Sequence, residues 1–294
     1  MFRRLNYKCH FCSTCEGKGC IAELPGMGGV FSNENFQANV EGWKKYVPEN
    51  LQNFDIPIRL APITGAIENI GYQNERSFYF DMIIASCSAG IKLSIGDGCP
   101  DEKLLSGIDA VKAAAKSFPN AKAAVFIKPY PDEKILQRAE WADEISEIVG
   151  VDIDAYNIVT MRNLVQLEKK SPEQMKKLKD AVKKPFAIKG VFTEEDIQLV
   201  EQVKPDIVVV SNHGGRIETA RGSTADFLKE YGKRLRNCCN QLWVDGGIRS
   251  AKDIAAAASL GADQVMVGRP FITALCRGGV KEVAKEGKKL KHFV

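Results

Sequence analysis

The stretch VVVSNHGGR, residues 208–216, sets an uninterrupted apolar run directly against a histidine, two glycines and an arginine. Imidazole takes up and returns a proton near neutral pH, and a guanidinium grips a carboxylate or phosphate through paired N–H donors. His213 and Arg216 therefore describe a base beside an anion clamp. Of the three histidines, His10 and His292 lie in terminal segments, which leaves His213 as the candidate base. Further on, DGGIRS (245–250) and VGRPF (267–271) each combine glycine and arginine in a turn that leads into a helix. Glycine lets the backbone approach a ligand closely and arginine adds charge, a combination suited to phosphate. A different chemistry stands near residue 1. Cys9, Cys12, Cys15 and Cys20 form C-x2-C-x2-C-x4-C, four thiolates that satisfy either tetrahedral zinc or an iron–sulfur cluster. Cys87, Cys99, Cys238, Cys239 and Cys276 are scattered without ligand spacing.

Such side chains need a scaffold that gathers them. From about residue 57 onward, short β-rich runs alternate with helical patterns, the signature of parallel strands joined by crossover helices. Strands are expected at 58–63, 91–96, 123–128, 148–154, 185–190, 206–211, 241–246 and 263–268. Between them, Thr193 to Asp196 and Ser250 to Asp253 read as capping boxes, and Pro172 after Ser171 reads as a first helical residue. Eight units with no break in composition predict one (β/α)8 barrel over residues 57–294, preceded by a Cys-rich extension at 1–56 with a helix near NFQANVEGWKKY. In a barrel the carboxyl ends of the strands line the active site. That rule sends Lys128, Tyr130, Asp152, Asp154, Lys189, Ser211, His213, Arg216, Asp245, Arg249, Gly268 and Arg269 to one rim.

Composition narrows the function classes. The 294 residues are 45% hydrophobic, enough for a large core, and 41 basic against 37 acidic residues give a net charge of +4 spread along the chain. That balance makes no electrostatic case for nucleic acid. No apolar stretch approaches the roughly 20 residues that span a bilayer, and MFRRLNYKCHFC lacks the apolar core of a signal peptide. The expectation is a cytoplasmic protein without a membrane or nucleic-acid partner.

SNHGGR, with VDGGIRSAKDIAAAASLGADQVMVGRPF after it and PFAIKGVFTEEDI before it, resembles the FMN-dependent α-hydroxy acid oxidase and dehydrogenase family over roughly residues 180–275. The resemblance implies an FMN-dependent oxidation of a small 2-hydroxy acid. His213 would take the hydroxyl proton while the α-hydrogen leaves as hydride toward flavin N5. Arg216 and Tyr130 would face the substrate, Asp154 would pair with the histidine, and Lys189 would lie by the flavin N1 and O2 edge. Asp245 would bind ribityl hydroxyls; Gly246, Gly247, Arg249, Gly268 and Arg269 would hold the phosphate. Ile63, Thr64, Gly65, Ser94, Lys128, Asp152 and Ser211 would complete the cofactor site. A homo-oligomer is implied as well.

The pattern also departs from that family. Lys128 stands where glutamine is usual and Asp152 where threonine is, so two charges enter the site, either pairing with each other or altering the flavin's electrostatics. A second carboxylate-binding arginine has no clear counterpart, Arg162 being the nearest. The cysteine segment, KPY and DIDA are similar to a bacterial branch of the family with a Cys-rich start. There, an iron–sulfur centre would relay electrons to an acceptor protein, and zinc would act as a clasp. Two other readings stay open: an FMN isomerase resembling type 2 isopentenyl diphosphate isomerase, and a non-catalytic flavin- or metal-binding protein.

Overall fold

The computed structural model describes residues 34–51, 56–67, 72, 74–157, 165–217 and 219–292. Cys9, Cys12, Cys15, Cys20 and Arg162 lie outside the described residues. Eight strands run in chain order: β1 (Ile58–Leu60), β2 (Leu93–Gly96), β3 (Ala123–Ile127), β4 (Ser146–Asp152), β5 (Phe186–Val191), β6 (Ile207–Val210), β7 (Gln241–Asp245) and β8 (Gln264–Val267). They pair in the order β1-β8-β7-β6-β5-β4-β3-β2, every neighbour parallel, and a parallel bridge between Arg59 and Lys92 joins β1 to the strand at the other end. The result is the expected (β/α)8 barrel.

Burial on both faces explains the apolar strand sequences. Inside the barrel, Ala124, Phe126, Ile148, Ala187, Ile207, Val209, Trp243 and Met266 fill the interior. Outside, the alternate residues of the same strands pack against the helices, among them Val125, Val149, Ile188, Val208 and Val244. At the amino ends of the strands the interior holds a charge. The Arg59 guanidinium lies 4.8 Å from the centroid of the Trp243 ring, donates to the Leu93 carbonyl and pairs with Glu147 at 2.7 Å.

The crossover helices begin where the sequence punctuation requires. In α5 (Pro172–Ala181), α6 (Glu194–Val203) and α8 (Ala251–Ser259), capping boxes at Ser171, Thr193 and Ser250 each satisfy backbone donors that a helix start leaves without partners. The remaining helices are α2 (Glu75–Ser88), α3 (Glu102–Ala115), α4 (Asp132–Trp141), α7 (Thr224–Arg236), α9 (Arg269–Gly278) and α10 (Val280–Lys291). Before the barrel, α1 (Glu34–Gly42) and a 3₁₀ turn (Trp43–Tyr46) cover the region expected to be helical.

Two strand boundaries differ from expectation in ways that matter for the site. β1 ends at Leu60, so Ala61 to Gly65 leave the sheet; Pro62 has no N–H to give to a ladder. β4 ends at Asp152, and Asp154 sits in the 3₁₀ turn Ile153–Asn157 that follows.

Candidate active site

The apolar run of β6 ends in a turn that only certain residues can make. Asn212 accepts the Gly215 N–H at 3.0 Å through its side chain, and His213, Gly214 and Gly215 all take the left-handed backbone, with φ of 56°, 65° and 91°. For a histidine that conformation costs on the order of 1 kcal/mol, a strain typical of functional turns. It keeps the imidazole at the rim of the barrel, where the His213 N–H also donates to Ser211 Oγ at 3.1 Å.

Around the imidazole lies a buried cluster of charges. His213 Nδ1 is 3.0 Å from Asp154 Oδ1 and 3.6 Å from Asp152 Oδ2. Asp154 reaches this position because residue 190 has no side chain: a Cβ there would stand 2.6 Å from the Asp154 carboxyl carbon. Asp152 binds two ammonium groups, Lys189 Nζ on Oδ1 and Lys128 Nζ on Oδ2, both at 3.0 Å. Lys189 also lies 3.3 Å from Ser211 Oγ and 3.6 Å from Asp245 Oδ2. Of the two fates open to Lys128 and Asp152, mutual pairing is the one observed.

These contacts bias the charge states. Burial drives the His213 imidazole well below its usual range, against the pull of Asp152, which favours the neutral form that can accept a proton. Burial also pushes Asp154 up, and the neighbouring Asp152 carboxylate adds to the shift. Asp152 itself is held well below the usual carboxylate range, because Lys189 and Lys128 outweigh its burial. Lys189 is raised despite burial by Asp152, Asp245 and Asp154, and stays charged. Asp152, Asp154 and His213 approach one another closely enough to resemble a metal site. Both Asp152 oxygens already accept from ammonium groups, whose charge opposes a cation.

The cluster opens onto a cleft of about 740 Å³, counting the part open to solvent. Its walls include Ile63, Thr64, Lys189, His213, Arg216, Asp245, Gly246, Gly247, Arg249, Gly268 and Arg269, all of which the sequence had pointed to. Ala61, Pro62, Gly214, Ile248, Met266, Val267 and Ile272 complete it. Sequence reasoning missed this apolar part, since a residue that faces a ligand looks the same in sequence as one that faces a helix. Gly65, Ser94, Lys128, Asp152, Asp154 and Ser211 do not line it; Asp152 and Ser211 contact Lys189 of the wall, and Asp154 contacts His213. Tyr130 is also not brought to the cavity. Its N–H bonds back to the Lys128 carbonyl at 2.8 Å in a three-residue turn. The ring, 1% exposed, lies between Lys134 and Arg138, whose cationic groups are 4.3 and 4.8 Å from its centroid.

The cavity suits a phosphorylated cofactor. Asp245 Oδ1 is buried without a hydrogen-bond partner, an acceptor in need of a donor such as a hydroxyl. The amino end of α9, with Gly268 at the cap position and no side chain capping it, opens beside Arg249 and Arg269.

Comparison with known proteins agrees. Over 111 residues the chain is 39% identical to a 2-hydroxyacid oxidase of Dictyostelium discoideum, a match covering 38% of this chain and 28% of the relative. It is 34% identical over 142 residues to an L-lactate oxidase of Lactobacillus jensenii, covering 48% and 34%. The chain thus matches about a third of the length of these relatives. In fold it resembles a putative lactate oxidase of Pediococcus acidilactici, with a TM-score of 0.72 at 18% identity over 99% of this chain and 91% of that one. A mandelate oxidase bound to (S)-2-phenylpropionate gives a TM-score of 0.68 at 21% identity, over 92% and 90%. Residues 111–292, more than half of the chain, match the profile of the FMN-dependent dehydrogenases, and the chain belongs to that family.

Proposed function

We propose that the protein binds FMN in the cavity between β1, β6, β7 and β8 and oxidises a small 2-hydroxy acid. The observation that carries this reading is the His213 imidazole, 3.0 Å from Asp154, in the same cavity wall as Arg216. FMN, when bound, supplies the two-electron acceptor. The chain's own groups do the rest. Arg216 grips the substrate carboxylate. His213 takes the hydroxyl proton, Asp154 orients the imidazole, and the Asp152 carboxylate, 3.6 Å from Nδ1, stabilises the imidazolium that forms. Lys189 supplies a fixed positive charge in the wall, Asp245 accepts from ribityl hydroxyls, and Arg249 and Arg269 hold the phosphate. The names of the relatives, 2-hydroxyacid and L-lactate oxidases, support the substrate class. Nothing in the described residues favours the isomerase reading.

Mixing the FMN-loaded protein with a panel of 2-hydroxy acids in the absence of oxygen tests this. Bleaching of the flavin absorbance by at least one acid is expected; turnover of an allylic diphosphate with no bleaching overturns it.

A second reading concerns Cys9, Cys12, Cys15 and Cys20, which on spacing alone form an iron–sulfur or zinc site. Iron would pass electrons to an acceptor protein, and zinc would be structural. Broad absorbance beyond the flavin bands identifies iron, stoichiometric zinc identifies the clasp, and neither metal on anaerobic isolation removes the site. A cytoplasmic setting is carried over from the sequence expectation, and the five cysteines among the described residues form no disulfide with one another. Homo-oligomerisation follows from family resemblance and is read by light scattering.

A further inference from the structure

Beside the cavity lies a helix whose docking the sequence did not announce. Helix α1 lies across the turns that follow β6 and β7. A Cβ at Gly215 would stand 2.6 Å from the Phe36 nitrogen, and one at Gly247 would stand 2.1 Å from the Asn39 carbonyl oxygen. Polar side chains tie the helix down. Asn39 Nδ2 donates to Asn212 Oδ1 at 2.7 Å, Asn39 Oδ1 accepts the Thr224 N–H at 3.0 Å, and Trp43 Nε1 donates to the Gly246 carbonyl at 2.7 Å. Phe36, 8% exposed, is the side chain of α1 that meets the two arginines of the cavity. The Arg269 guanidinium carbon lies 4.5 Å from the ring centroid and that of Arg249 lies 5.9 Å away. Arg269 Nη2 also donates to the Gly214 carbonyl at 3.1 Å, which links the same guanidinium to the turn bearing His213.

We propose that Phe36 is a positioning residue for the cofactor phosphate, its ring holding Arg269 and Arg249 in place so that α1 and the phosphate share one pair of cations. The proposal rests on the FMN reading of the cavity. Physically, an aromatic face attracts a guanidinium and limits its rotamers, so the two long side chains lose less freedom when an anion binds. The aliphatic side chain of leucine or methionine fills space but offers no such face. Because the phosphate is the part of the ligand assigned to these cations, the effect is expected only with ligands that carry one.

The test is titration of the FMN-free protein with FMN and, separately, with riboflavin, which has the same ring and ribityl chain but no phosphate; flavin fluorescence and thermal unfolding are the readouts. In Phe36→Leu and Phe36→Met, FMN affinity is expected to fall about fivefold to tenfold, as loss of a partly buried cation–π contact implies, while riboflavin affinity stays the same. Phe36→Tyr is expected to restore the preference for FMN. Equal weakening of both ligands, or no change in either, overturns the proposal while leaving the FMN site in force. Binding of neither flavin by the unsubstituted protein overturns the FMN reading and this inference with it. If the ring-less variants do not fold, progressive fluorination of the Phe36 ring, which weakens its negative face at nearly constant shape, takes their place, and an unchanged preference for FMN then counts against the proposal.

Discussion

The two halves of the barrel rim use buried charge in opposite ways. On the β2–β4 side the charges close on one another. Asp97, fully buried, binds Arg138 Nε at 3.1 Å and accepts the Lys128 N–H at 3.3 Å; Arg138 also reaches Asp101 at 2.5 Å. On the β6–β8 side, His213, Arg216, Arg249 and Arg269 share the wall of one cavity. Asp152 joins the halves, one oxygen on Lys128 and the other on Lys189. Breaking a buried, paired charge is costly to the fold, whereas a charge in a cavity wall can be reached by a ligand. On the function proposed above the rim is half scaffold and half reagent, although both halves look alike as polar residues at strand ends.

Substitutions should separate the halves. The largest effect is expected on the reagent side: His213→Asn leaves FMN binding intact and slows anaerobic flavin reduction by about 10²- to 10⁴-fold, the usual share of a general base. On the scaffold side, Asp152→Asn leaves Lys128 and Lys189 without their shared anion and should cost about 3–5 kcal/mol in denaturant unfolding. Adding Lys128→Met to that variant should recover part of the loss, since Lys189 then has Asp245 and no competing cation. A smaller effect comes with pH. Burial lowers the His213 pKa, so the acid limb of the reduction rate should lie below the ordinary histidine value of about 6.5. The same shift contributes to stability with a definite sign. The folded imidazole binds fewer protons than the unfolded one, so its contribution is complete above about pH 6.5 and is lost as pH falls through the folded pKa. The smallest effect is expected at Tyr130→Phe, which should change the reduction rate by no more than about twofold; a hundredfold loss would move Tyr130 to the reagent side.

Much of this division was legible in sequence. Short β-rich runs located every strand to within a few residues, and the rule that strand ends line the site sent His213, Arg216, Lys189, Asp245, Arg249 and Arg269 to one rim, where they share a cavity wall. Tyr130 was not legible, because one backbone hydrogen bond from its N–H to the Lys128 carbonyl decides which way the ring points. The docking of α1 was hidden for a different reason. Asn35 and Asn39 recur at helical spacing, are 3% and 1% exposed, and hold the helix to loop carbonyls and amides. A polar stripe of that kind has the sequence signature of a solvent-facing surface, and only the partners it meets reveal that it is buried.

The most direct test of the account is a crystal structure of the protein with FMN bound. The phosphate is expected beside Arg249 and Arg269 at the amino end of α9, with the isoalloxazine between the Ile63 to Gly65 segment and His213, and the imidazole still paired with Asp154. A phosphate bound elsewhere, or an imidazole turned away from the ring, would contradict it.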